Sequence, residues 1–186
     1  MTDRPIDLGR PTSGDVIELI LADHVRFEGL LRQLRDDSTD RDAVRRAFAD
    51  LHVAHASAEE RLVYPRLRAS GALGEHEAEH GEEEHAEGNE ALLAVLELDQ
   101  TQGASFDEAV ERLSKLVNHH LAEEELTILN PARRDVPRDV RVELGQVFAT
   151  ERNALIEEGC GRLERVRTLV RAAAEAGLLD DREGGD

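Results

Sequence analysis

One eleven-residue pattern occurs twice in this chain. The first copy begins at His55 and reads HASAEERLVYP, and the second begins at His120 and reads HLAEEELTILN. In both copies a histidine is followed four and five residues later by two glutamates. Residues four apart lie on the same face of an α-helix, so each histidine and its first glutamate can bind one metal ion together. The repeat therefore predicts two helices that face each other across a two-metal site.

Apolar residues recur at helical spacing in five segments, which are separated by short breaks. Four of them predict an all-α fold, an antiparallel up-down-up-down four-helix bundle. Pro65 predicts a kink or an end in the second helix. The fifth segment predicts an additional long C-terminal helix that is broken between Gly159 and Gly161. We therefore divide the chain into a flexible N-terminal lead-in (1–12), the bundle (13–131), a C-terminal helical extension (132–179) and a disordered tail (180–186).

The predicted core faces of the four helices carry residues that can bind metal. These are His24 on the first helix, His55 and Glu59 on the second, His85 on the third, and His120 and Glu124 on the fourth. The faces of the second and fourth helices continue to Leu62 and Thr127. An unpaired buried carboxylate is costly, and a dication removes that cost by supplying the missing partner. The six residues therefore predict a metal site where the four helices converge.

Some residues near this site have more than one interpretation. His80 lies on another side of the third helix and is the alternative to His85. Glu28 lies beside the apolar stripe of the first helix, where it is a further ligand, a partner of a metal-binding imidazole or an ordinary edge residue. The same choice stays open for Glu60 and Glu125.

The composition restricts the metal and the partners. A single cysteine leaves imidazole and carboxylate as the ligands, a set suited to iron, manganese or zinc. The formal net charge of −18 repels phosphate groups, so we expect no nucleic-acid partner and no membrane partner. The N terminus lacks an apolar signal segment, and no later run approaches the ~18 apolar residues of a membrane span. We therefore expect a cytoplasmic protein.

Together these residues resemble the hemerythrin-like domain of the HHE cation-binding class. The family pattern is His on the first helix, HxxxE on the second, His on the third, and HxxxE or HxxxxD on the fourth. Residues 15–131 carry it at the six positions given above, and the LVYP after Glu60 strengthens the match. The resemblance implies a non-haem centre of two iron ions with an oxo or hydroxo bridge, in which Glu59 and Glu124 also bridge. Manganese and zinc stay open as alternatives.

The expected ligands leave room for a small molecule. Two octahedral ions offer about twelve positions, of which the two carboxylates, four histidines and a bridging oxygen fill about ten. Oxygen-carrying hemerythrins have a fifth histidine four residues before the one on the third helix, but here that position is Gly81. The difference puts reversible oxygen carriage in doubt and favours a more reactive site.

We therefore expect a protein that binds or reacts with dioxygen, peroxide or nitric oxide, with catalase-like peroxide breakdown as one such activity. The alternative is an iron or oxygen sensor, or an iron-handling protein, that acts as a homodimer or on a protein partner through the C-terminal helix. The ligands alone do not decide whether the protein is an enzyme.

Overall fold

The computed structural model describes residues 6–179. Its helices are α1 (Val16–Arg35), α2 (Arg41–Ala58), α3 (Tyr64–Ala69), α4 (Glu75–Leu96), α5 (Ala104–Glu124), α6 (Asn130–Asp135), α7 (Arg138–Glu157) and α8 (Leu163–Glu175). Two turns of π-helix, Glu59–Val63 and Glu125–Leu129, join α2 to α3 and α5 to α6 without a break. The predicted disordered tail, 180–186, lies outside the described residues, as do residues 1–5 of the predicted lead-in.

The predicted all-α fold and four-helix bundle are confirmed. The helix pairs α1 and α2, α2 and α4, α4 and α5, and α5 and α1 pack against each other, which closes the bundle. Phe27, Phe48 and Phe106 lie in its core with the leucines and valines of all four helices. Within residues 6–179, no helix is both long enough and apolar enough to cross a lipid bilayer.

Each π-helical turn precedes a proline. Pro65 and Pro131 lie in the first turns of α3 and α6. A proline lacks an N–H and its ring clashes with the carbonyl four residues earlier, so it breaks or kinks a regular α-helix. Here the residue before each proline instead donates its N–H to the carbonyl five residues earlier. The helix end predicted at Pro65 is therefore wrong, because the wider turn carries the helical backbone through it. The alternative, a kink at Pro65, stays a prediction.

The wider turn also changes which residues face the core. A π-helical turn takes in one more residue than an α-helical turn, so the apolar face beyond it moves by one position. Val63 is buried where the regular pattern predicted Leu62, and Ile128 is buried where it predicted Thr127. Both predicted residues are only partly buried.

The C-terminal extension packs on the bundle of its own chain. Helix α7 lies against α1 and α2, and α8 lies against α4. The break predicted between Gly159 and Gly161 is confirmed, because α7 ends before these residues and α8 begins after them. A Cβ atom on Gly161 would lie 2.3 Å from the carbonyl carbon of Ala49, so only glycine permits this approach to α2. Since the apolar stripe of the extension packs internally, it gives no argument for a partner, and the predicted partner stays a prediction.

Arg152 of α7 attaches the extension to α1. Its side chain is fully buried, and Nε and Nη2 donate to the Asp23 carboxylate at 2.6 and 2.8 Å. It also donates to the carbonyls of Leu8 and Gly9. Residues 6–12, which were predicted as a flexible lead-in, are not helical, but these bonds hold them against α7.

We expect Arg152→Met to lower the free energy of unfolding by about 3–5 kcal/mol, because it leaves the buried Asp23 carboxylate without its guanidinium. Urea denaturation of the metal-free protein measures this change. The matched control is Arg133→Met, which removes an exposed pair with Glu18 and is expected to cost about 0–1 kcal/mol. Equal losses in the two variants would contradict the role given to Arg152.

Candidate metal centre

The six residues predicted as ligands meet in the interior of the bundle, and all six side chains are buried. Each histidine presents Nε2 to a glutamate: His24 to Glu124 at 3.1 Å, His55 to Glu59 at 3.2 Å, His85 to Glu59 at 3.4 Å, and His120 to Glu124 at 3.9 Å. Each carboxylate therefore contacts one histidine from its own helix and one from a neighbouring helix.

The ligand atoms form two adjacent groups. One group is His24, His55 and Glu124, and the other is Glu59, His85 and His120, with the ligand atoms in each group within 4.8 Å of one another. Each glutamate lies near histidines of both groups. Each group could therefore hold a metal ion, with Glu124 at the end of α5 and Glu59 directly after α2 close to both groups.

The polar atoms that point into this centre lack hydrogen-bond partners. The four Nε2 atoms, both oxygens of Glu59 and Oε2 of Glu124 are buried without a hydrogen bond. Buried polar atoms in folded proteins are nearly always satisfied, and each unsatisfied one is costly. Imidazole nitrogens and carboxylate oxygens are ligands that iron, manganese and zinc accept. The residues therefore fit a pair of transition-metal ions.

A carboxylate supports each histidine from its other nitrogen. Nδ1 of His24 pairs with Glu125 at 2.9 Å, that of His55 with Asp23 at 3.4 Å, that of His85 with Glu60 at 2.9 Å, and that of His120 with Glu84 at 2.9 Å. Such a bond fixes the ring and keeps the proton on Nδ1, which leaves the Nε2 lone pair free for a metal. Glu60 and Glu125, whose role was open, thus position ligands.

Sequence reasoning gave no role to Asp23 or Glu84, although a signal was present. Asp23 directly precedes His24, and Glu84 directly precedes His85. The repeat therefore includes the supporting carboxylates as well as the ligands, and the two halves are related by an approximate twofold arrangement. A search for acidic residues next to each ligand, on both halves, would have found all four.

The structure separates the alternatives that the sequence left open. His85 points into the centre, whereas His80 lies at the surface with 43% of its side chain exposed. Glu28 is exposed and lies outside both ligand groups. His52, which the apolar pattern places at the edge of the core face, is buried and stacks on Phe48. Burial and the neighbouring histidines lower its pKa well below the usual value, so it is a neutral packing residue.

Tyr64 occupies the space beside Gly81. Its hydroxyl donates to Oε1 of Glu124 at 3.3 Å, and its ring lies parallel to that of His85. A Cβ atom on Gly81 would lie 3.1 Å from that hydroxyl. Burial and the nearby carboxylates raise the pKa of Tyr64 well above its usual value, so it keeps its proton. The position that resembled a missing fifth histidine is therefore filled by a tyrosine donor rather than left open.

The two halves differ in their access to solvent. On one half, Arg152 covers Asp23 and closes the site from outside. On the other half a cavity of about 160 Å³ runs beside the centre. It is lined by His76, Glu77, His80, Gly81, Glu84, His120, Glu123, Glu124, Thr127 and Ile128. A small molecule can therefore approach the centre from the side of His120 and Glu124.

The carboxylates inside the metal-free centre favour the protonated forms of His24 and His85. Burial alone would lower the pKa of His24, but the Glu124 carboxylate, 3.1 Å from Nε2, raises it to about 9. Burial is likewise outweighed at His85, where Glu59 and Glu60 raise the pKa to about 10. At neutral pH both imidazoles therefore carry a proton that a metal ion has to displace.

Comparisons with known proteins agree with this geometry. A family model described as "Hemerythrin HHE cation binding domain" matches residues 15–131, which is more than half of the chain. A curated protein from Nostoc sp. (strain PCC 7120 / SAG 25.82 / UTEX 2576), named "DNA nickase", is 26% identical over 125 residues. The match covers 66% of this chain and 34% of that protein, so the chain spans about a third of the length of this relative. No solved structure matches the chain.

We expect anaerobic Fe²⁺ to raise the thermal midpoint of the metal-free protein. An ion that binds only the folded state adds about 2.7 kcal/mol when its free concentration is one hundred times its dissociation constant. His55→Ala removes one ligand and should reduce this gain, whereas His76→Ala, on the exposed part of α4, should preserve it. Calorimetry with and without metal measures the gain, and an equal gain in His55→Ala would exclude His55 as a ligand.

Proposed function

Because the chain belongs to the hemerythrin HHE cation-binding family, we propose that it holds two iron ions and uses them to bind or react with dioxygen, peroxide or nitric oxide. One observation carries the proposal. Seven buried atoms of four histidines and two glutamates converge without hydrogen-bond partners, in two adjacent groups. Manganese and zinc fit the same ligands and are the competing metals.

The six predicted ligands divide into distinct roles in this proposal. His24 and His55 would hold one ion, and His85 and His120 would hold the other. Glu59 and Glu124 would contribute to both sites, since each carboxylate lies near a histidine of each pair. When bound, the iron pair supplies electron transfer and open positions for a small ligand.

The remaining residues control orientation, protons and access. The carboxylates on the Nδ1 atoms hold the four rings in place and keep them neutral when metal is bound. Tyr64 holds a proton at its hydroxyl beside Glu124 and orients that carboxylate. The cavity of about 160 Å³ has room for molecules of the size of dioxygen or peroxide.

An anaerobic Fe²⁺ titration tests the metal assignment. We expect saturation at two ions per chain, followed on exposure to air or peroxide by near-ultraviolet charge-transfer absorption. Zn²⁺-loaded protein is the matched control, because zinc fills the same ligands without redox chemistry and should stay colourless. Saturation at one ion or none, or an oxidised iron sample without this absorption, would contradict the proposal.

A second experiment tests the route of access. Thr127 lines the cavity, and Thr127→Phe should narrow it. We expect the reaction of the iron-loaded protein with peroxide to slow by about tenfold, equivalent to ~1.4 kcal/mol of added barrier. The iron content at equilibrium should not change.

Thr150→Phe is the matched control for this variant. Thr127 and Thr150 each donate a side-chain hydrogen bond to the carbonyl four residues earlier, but Thr150 is exposed on α7. Stopped-flow absorbance gives the rate for each variant. If both substitutions leave the rate unchanged, the small ligand does not use this cavity.

Two other functions have less support. The name of the Nostoc relative suggests DNA nicking, but the match spans a third of that protein and does not locate its activity in the shared part. The charge of −18 also opposes binding to DNA. The sensor alternative has less support because the apolar stripe of the C-terminal extension packs on the bundle of its own chain and not on a partner. A cytoplasmic location stays part of the proposal.

A further inference from the structure

A second cluster of metal-binding side chains lies at the mouth of the cavity. We propose that His80, Glu84 and Glu123, with His119 beside them, bind a divalent transition-metal ion and deliver it to the inner centre. Ligand atoms of the first three residues lie within 4.8 Å of one another. The proposed binding site depends only on the positions of these four residues. The delivery step also rests on the function proposed above.

The distances suit a single ion. Nε2 of His80 lies 3.9 Å from Oε1 of Glu84 and 3.6 Å from Oε1 of Glu123. Nε2 of His119 lies 3.6 Å from Oε1 of Glu84 and 3.2 Å from Oε2 of Glu123. Ligands held tetrahedrally at about 2.1 Å from a zinc-sized ion are separated by about 3.4 Å, so small rotations of the two exposed imidazoles complete the site.

Glu84 supplies an independent reason to expect a cation. Its side chain is only 9% exposed, and its buried Oε1 has no hydrogen-bond partner. The other oxygen, Oε2, accepts from Nδ1 of His120 at 2.9 Å. Oε1 therefore faces the cavity without a hydrogen-bond donor, and a cation bound there would supply the missing partner.

The other half of the molecule shows how the same position is satisfied. Asp23 pairs with Nδ1 of His55 in the same way that Glu84 pairs with Nδ1 of His120. The Asp23 carboxylate also pairs with the guanidinium of Arg152 at 2.6 and 2.8 Å. Among the described residues, no arginine or lysine forms an ion pair with Glu84. Two imidazoles and the Glu123 carboxylate lie there instead. A metal ion would take the place that Arg152 takes on the closed half.

The location connects this site to the inner centre. Glu84, His120 and Glu124 line one cavity together with His80 and Glu123. An ion bound at the mouth thus lies one side chain away from an inner ligand. The mouth is also more exposed, with 43% of the His80 side chain and 67% of the His119 side chain accessible, so it exchanges ions with solution readily. Imidazole with carboxylate favours Fe²⁺, Mn²⁺ or Zn²⁺ over Mg²⁺ or Ca²⁺.

The test counts ions with and without the mouth site. Full-length protein is dialysed against buffered Zn²⁺, and bound zinc is measured by elemental analysis. We expect three ions per chain in the unchanged protein and two in His80→Ala/Glu123→Gln. The control, Glu79→Gln/Glu108→Gln, removes two carboxylates from exposed positions of α4 and α5 outside the cavity and should retain three. Circular dichroism verifies that each variant is folded.

Every outcome of the count decides the question. A third ion that persists in His80→Ala/Glu123→Gln, or that never appears in the unchanged protein, overturns the mouth site. Loss of one ion from the variant alone supports it, whatever the inner centre holds. Absence of the two inner ions, with one ion still lost in the variant, overturns the proposed function and keeps the mouth site.

The delivery step is tested by the rate of loading. Metal-free protein is mixed anaerobically with limiting Fe²⁺, and filling of the inner centre is read by quenching with chelator and counting retained iron. Loading of His80→Ala/Glu123→Gln should be slower by about 10–100-fold, the range by which loss of supporting residues weakens metal sites. Equal rates in the variant and the matched control would overturn delivery through the mouth.

Discussion

The structure depends on the burial of two carboxylates. The side chains of Glu59 and Glu124 are almost completely buried among four imidazoles, and Glu124 also borders the cavity. Such charges would destabilise the fold unless cations or protons compensate them. In the metal-free protein, the pKa values of His24 and His85 are raised, so their protonated imidazoles compensate the charges of the two carboxylates. We expect metal ions to displace these protons and to stabilise the folded state.

The buried charges also make the two halves of the centre, the half with Asp23 and the half with Glu84, different from each other. Each histidine needs an outer carboxylate, and each outer carboxylate then needs its own compensation. For Asp23 this comes from Arg152, which is 129 residues away in sequence and arrives with the C-terminal extension. For Glu84 it comes from the side that faces solvent. The extension therefore covers one half of an approximately symmetric centre, and the cavity beside His120 and Glu124 lies on the uncovered half.

The sequence predicted the bundle and the position of the centre because both follow from local patterns. His55 and Glu59, like His120 and Glu124, are four residues apart, and in the structure each pair lies on one face of its helix. The pairing of Arg152 with Asp23 was not predictable in this way, since no periodic pattern connects residues so distant. The phase error at Leu62 and Thr127 has a different cause, because a strict helical period carries no information on where an extra residue enters a turn.

These π-helical turns make the chain sensitive to length at two points. Each extra residue rotates the following helix by about 100° relative to the preceding one. Deleting one residue from Glu59–Val63 would restore a regular helix but turn Tyr64 away from Glu124. Between related proteins, a one-residue insertion or deletion here would therefore exchange the side chain beside the metals without any substitution. An alignment that scores only substitutions would overlook such a change.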